Sequence, residues 1–165
     1  MSAETPVKLV ICWHMHQPSY RDAGSGHYRL PWTYLHGIKD YVDMVALLEK
    51  VPDARVVVNF TPTLLEQLSD YVAQIAAALG GQVPPGDPLL AALIAEQLPT
   101  QAEEREALIR AALRANEKRL VNRFPSYRHL VDLAQGVLRN PAMLAYLSDQ
   151  YLADLLVWYH LAWLG

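Results

Sequence analysis

The chain has 165 residues, just over half of them hydrophobic and 19% charged, with a formal net charge of −3, which allows a domain with a real core and excludes a disordered chain. No run of five basic residues occurs, so neither nucleic acid nor an anionic membrane is an expected partner. The single cysteine, Cys12, has no partner in the chain, residues 1–6 lack a basic and long apolar leader, and residues 155–165 are too few to span a bilayer, so a reduced, cytoplasmic protein is expected.

Residues 7–13 form a short, almost continuously apolar run that predicts a buried strand of a parallel sheet, with Cys12 inside it. Residues 14–32 predict a long irregular connection, with Gly24, Ser25 and Gly26 as its flexible middle. Residues 33–50 return to helical spacing, with Leu35, Ile38, Val42, Val45 and Leu48 on one side, and Pro52 ends that helix. Residues 55–60 predict a second strand. Thr61-Pro62 then has the character of a helix cap and first turn, with Thr63 and Glu66 as an alternative start, and Gly80-Gly81 stops the helix. Strand, helix and strand make a βαβ unit whose strands are parallel.

After Gly81 the strands cease. Residues 82–86 read as a linker, and Asp87-Pro88 caps a short helix. Thr100 with Glu103 predicts a capping box that opens a long charged helix to about residue 123. Further helices are expected over about 126–138 and, capped by Ser148, from 149 to about 164. The last is apolar nearly all round and therefore expects burial. The fold class is α/β, with two parallel strands followed by a mostly helical segment. Residues 1–81 form the βαβα start, and residues 82–165 continue the same domain. A two-stranded parallel sheet lacks cover on its faces and edges, so the chain reads as the truncated N-terminal part of a larger protein, and self-association is expected.

Function in parallel α/β folds gathers at the carboxyl ends of strands. One such end carries His14, His16 and Gln17, and the other carries Asn59, Phe60 and Thr61. An extended chain puts residues i and i+2 on one face, so both imidazoles point the same way, and Pro18 keeps Gln17 out of helix. The connection that follows is rich in Tyr, Arg, His and Trp, ending at Trp32. Aromatic faces beside hydrogen-bonding groups suit a sugar. The bland alternatives are real. Gln17 and Asn59 can serve loop backbone, Trp32 and Phe60 can be core, and the glutamates between 96 and 117 are explained by surface pairing. His129 and His160 read as structural.

The His14-Met15-His16-Gln17-Pro18 stretch resembles the first sequence region of glycoside hydrolase family 57. So do Pro31-Trp32 leading into residues 35–41, residues 58–68, and the apolar residues 156–163. The resemblance implies a (β/α)7-type barrel and retaining action on α-glucans or maltooligosaccharides, as amylase, amylopullulanase, branching enzyme or 4-α-glucanotransferase. It implies that His14 and His16 line the sugar subsite at the point of cleavage. Gln17, Trp32, Asn59 and Phe60 complete the expected substrate-binding set. It also implies a Glu nucleophile, usually in a Trp-x-x-Glu context, and an Asp acid/base. None of Trp13, Trp32, Trp158 and Trp163 is followed by Glu three residues later, so the catalytic carboxylates are expected beyond Gly165, in the remainder of the same enzyme, and the chain alone is expected to be inactive. No cofactor or metal is expected. Two other readings stand beside this one: a metal-dependent amidohydrolase- or deacetylase-like barrel fragment using His14 and His16, and a non-catalytic helical interaction module.

Overall fold

A computed structural model describes residues 7–164. In chain order it has strand β1 (Ile11–Met15), helices α1 (Trp32–Ile38) and α2 (Asp40–Glu49), strand β2 (Val56–Phe60), and helices α3 (Pro62–Leu79), α4 (Pro88–Ile94), α5 (Ala102–Ala112), α6 (Pro125–Arg139) and α7 (Asp149–Trp163). Short 3-10 turns cover Val121–Arg123 and Pro141–Tyr146. The described residues are thus mixed α/β, with two parallel strands and seven α-helices, and none of these helices is long and apolar enough to cross a membrane.

The strands pair in parallel as expected, with Ile11 opposite Val56, His14 opposite Asn59 and Met15 opposite Phe60. Strand β1 starts four residues later and ends two residues later than the apolar run suggested. Its length is set by its partner: β2 offers a ladder only from Val56, so residues 7–10 find no bonds and His14 falls inside the strand. The sheet is not buried. Val57 is 52% exposed, and Cys12 is exposed, not sequestered in a strand core.

The connection from β1 to α1 carries structure of its own. Residues 20–29 fold back as a hairpin, with Arg21 bridged to Tyr28 and the Arg29 amide donating to the Tyr20 carbonyl. The Asp22 carboxylate accepts from the Gly24 and Ser25 amides and pairs with Arg29, and Gly26 supplies the positive φ of 74° that closes the turn. These bonds hold the Asp22 carboxyl well below the usual carboxylate range. The hairpin is anchored at Tyr28, whose ring stacks on Tyr71 at 4.1 Å and whose hydroxyl donates to Asp70.

Residues 33–50 form two helices, because the backbone at Lys39 (φ −117°, ψ −82°) leaves the helical region. Leu35 is fully buried in α1, but the apolar side of α2 stays open. Helix α3 starts at Pro62, after Thr61, and stops at Gly80. Asp87 caps α4 by accepting from the Leu89 and Leu90 amides, and Ser148 caps α7 by accepting from the Tyr151 amide. Helix α5 departs from expectation at both ends. Gln101 precedes it with no side-chain cap, and it stops at Ala112 instead of reaching 123. The Tyr127 hydroxyl satisfies the last carbonyl, at Ala112, and Asn116 turns the chain by accepting the Arg119 amide.

One core runs through the molecule. It joins Tyr28, Tyr34, Leu35 and Tyr71 to apolar side chains of α4, α5, α6 and α7. Helix α7 is buried along most of its length, so its apolar character finds cover within the chain. The uncovered apolar surface lies instead on β1, β2 and α2, where Val42, Val45, Val57, Val58 and Phe60 are exposed. Such a surface drives association. The purified chain is expected to bind an apolar fluorescent dye and to self-associate as concentration rises. A monodisperse monomer at high concentration that leaves the dye dark would contradict this.

Helix α7 also places His160 in that core. Its Nδ1–H donates to the Leu156 carbonyl at 2.7 Å, so Nε2 accepts from the Tyr34 hydroxyl at 2.9 Å. Burial pulls the His160 pKa down. An unfolded histidine protonates near pH 6.5, whereas the folded ring resists. Stability from this site is therefore fully present above about pH 6.5 and is lost as pH falls towards the lower folded value. Thermal melts should drop below that pH in wild type, and His160→Gln should flatten the drop. Equal pH slopes in the two proteins would remove His160 as its cause.

Candidate functional site

The site begins with the parallel register. His14 and Asn59 are directly opposed, and their side chains meet on one face of the sheet, with His14 Nδ1 2.6 Å from Asn59 Oδ1. An amide oxygen accepts only, so Nδ1 carries the proton and Nε2 of the neutral ring is left as an acceptor. His16, just past the end of β1, lies parallel to His14 with ring centroids 6.0 Å apart and planes 9° apart. The i, i+2 rule thus holds across the strand end. Both imidazoles are exposed, which leaves their polar atoms open to a ligand.

The other expected residues sort differently. Gln17 is held at both ends of its amide: Oε1 accepts from the Tyr20 hydroxyl at 3.0 Å, and Nε2 donates to the Tyr41 hydroxyl at 3.3 Å. It retains one N–H for other partners. Phe60 faces the opposite side of the sheet, because side chains alternate along a strand. There it lines an apolar cleft with Trp13, Met15, Val58, Val42 and Val45. Trp32 lies in an aromatic cluster with Trp163, at 6.0 Å, and His36, at 6.4 Å. The structure therefore brings His14, His16 and Asn59 together, ties the Gln17 amide to Tyr20 and Tyr41, and places Phe60 and Trp32 elsewhere.

Several carboxylates are held in ion pairs. Asp40 pairs with His36, Asp43 with Lys39, Asp70 with Arg21, Glu106 with Arg110, and both Glu117 and Asp132 with Arg128. Asp87 is buried, and desolvation raises its pKa. Among the described residues, no group of three His, Cys, Asp or Glu side chains converges as a metal site.

Sequence reasoning missed Gln67 on α3, which lies behind this loop. It is 4% exposed. Its amide accepts from the Tyr20 N–H and the Thr33 hydroxyl and donates to the Pro18 and Thr63 carbonyls. The available signal was a lone polar residue on the apolar side of α3, next to Leu64 and Leu68.

Neither a curated protein nor a solved structure matches this chain. A family model does, and it runs from residue 10, at the threshold of β1, to residue 149, the first residue of α7. It takes in both strand ends, the hairpin and most of the helical segment, and by that match the chain belongs to glycosyl hydrolase family 57.

Proposed function

We propose that the chain is the N-terminal portion of a (β/α)7-type barrel that acts with retention on α-glucans, and that it contributes sugar-binding residues. The observation that carries this reading is the His14–Asn59 bond with His16 parallel to it on one sheet face. It fixes one ring by its back nitrogen and leaves an acceptor forward, beside a second exposed ring. Sugar hydroxyls both donate and accept, so a pair of neutral imidazoles suits them.

Retaining hydrolysis or transfer needs two carboxyl groups about 5–5.5 Å apart, one as nucleophile and one as acid/base. Neither His14 nor His16 has a carboxylate partner among the described residues. We assign the Glu nucleophile and the Asp acid/base to a segment other than these. The exposed sheet and the bare side of α2 support this, because parallel strands are normally covered on both faces.

Titration of the chain with maltoheptaose tests the reading. The imidazole NMR signals of His14 and His16 should shift together and saturably, while those of His129 and His160 stay in place. Starch and maltooligosaccharide should not be turned over above a blank. Measurable turnover by the chain alone would place the carboxylate pair within it. Stoichiometric zinc that moves the same two signals, with no response to sugar, would replace the sugar reading with a metal one.

A further inference from the structure

We infer that Gln67 is the positioning residue of the sugar-facing loop. The claim that its effect reaches a sugar rests on the function proposed above, whereas its effect on the loop does not. Residues 16–20 leave β1 without joining a helix or sheet, so their backbone groups need partners from elsewhere. Pro18 has no N–H, which leaves only its carbonyl as an anchor. Gln67 Nε2 donates to that carbonyl at 2.9 Å, and Oε1 accepts the Tyr20 N–H at 3.0 Å. The same oxygen accepts from the Thr33 hydroxyl at 3.3 Å, and the same nitrogen donates to the Thr63 carbonyl at 3.2 Å.

All four hydrogen-bonding positions of this amide are therefore used. Its orientation is forced as well. The flipped amide would set NH2 against the Tyr20 N–H and oxygen against the Pro18 carbonyl. A buried polar group so completely satisfied specifies one arrangement of what it touches.

The consequence runs forward to the site. The Tyr20 backbone sets where its side chain starts, and the Tyr20 hydroxyl donates to Gln17, which in turn reaches Tyr41 on α2. His16 lies between this clamp and β1. Helix α3, which carries Gln67, also begins three residues after Asn59, the partner of His14. One βα segment thus orients both imidazoles: Asn59 acts on the ring of His14, and Gln67 acts on the backbone that follows His16.

Gln67→Met keeps the length of the side chain and removes its hydrogen bonds. The Tyr20 amide should then exchange with solvent on the order of 10-fold faster, since its side-chain acceptor is gone. Amides of α5, α6 and α7 should keep their protection. Maltoheptaose affinity should fall by a similar factor, whereas Val131→Ala, a core substitution far along the chain, should lower the melting temperature and leave affinity unchanged. Gln67→Glu provides a second arm should the methionine variant not fold. It keeps the acceptor for the Tyr20 N–H and, when ionised, loses both donated bonds. As pH falls and the buried carboxyl regains a proton, its affinity relative to wild type at the same pH should recover. Unchanged Tyr20 exchange in Gln67→Met, or an unchanged carbon-13 signal of the Pro18 carbonyl in Gln67→Glu at high pH, would overturn the clamp. Faster exchange with unchanged sugar affinity would overturn the positioning role. If wild type binds no sugar, the function proposed above fails, and Tyr20 exchange alone still decides the clamp.

Discussion

On the function proposed above, turnover of α-glucan by the complete enzyme is expected to fall on the order of 10²-fold when His16 is replaced by alanine, as when one preorganised donor is lost from a transition state, with the melting temperature unchanged. The stability half follows from exposure. His16 lies past the end of β1, is open to solvent, and lies parallel to the ring of His14. Removing it leaves no cavity of consequence. The catalytic half follows from the proposed place of the ring beside the reacting sugar. A neutral imidazole can bond a ring hydroxyl, and that bond gains strength as positive charge develops in the oxocarbenium-like transition state. The loss should fall on the turnover number more than on KM, because a bond strengthened only in the transition state is the one being deleted. A melting temperature lowered by several degrees with an unchanged rate would make His16 a structural residue.

The parts of this fold that could be read from the sequence have their causes close along the chain. Asp87 and Ser148 mark helix starts through their side-chain caps and Pro62 and Pro88 through their fixed φ, and the helices begin beside them. His14 and His16 share a face because of strand geometry alone. The parts that could not be read depend on partners far along the chain. Where β1 starts is decided by how much ladder β2 offers, 45 residues away. Helix α5 ends where Tyr127, 15 residues on, meets the Ala112 carbonyl. The hairpin at residues 20–29 has no apolar alternation, and Tyr28 and Asp70, 42 residues apart, anchor it. Phe60 shares a strand end with Asn59 yet faces the other way, because adjacent residues alternate. Gln67 belongs to the same class, its loop partners Pro18 and Tyr20 lying 49 and 47 residues away.

Arg105 carries the largest expected effect on stability. In sequence it belongs to a charged helix, among glutamates that suggest surface pairing. In the structure it is 7% exposed, and its guanidinium donates to the carbonyls of Pro99 (3.1 Å), Leu147 (2.9 Å) and Ser148 (3.2 Å) and to the Asp149 carboxylate. It therefore ties the entry of α5 to the start of α7. Helix α7 in turn carries His160 against Tyr34 and Trp163 against Trp32, on the α1 helix that follows the hairpin. Two contributions can be separated by exposure. Asp149 is 72% exposed, so its attraction to Arg105 is screened by water. The carbonyls have no such relief, and each bond from a charged donor contributes roughly 1.5–3 kcal/mol, less than additively. Arg105→Ala should thus destabilise the fold by about 3 kcal/mol, a fall in melting temperature of about 6–12 °C for a chain of this length. Asp149→Ala should cost about 1 kcal/mol or less, including its effect at the first turn of α7. Chemical denaturation of both variants decides the matter. Equal losses would mean that the ion pair, and not the three carbonyls, holds α5 to α7.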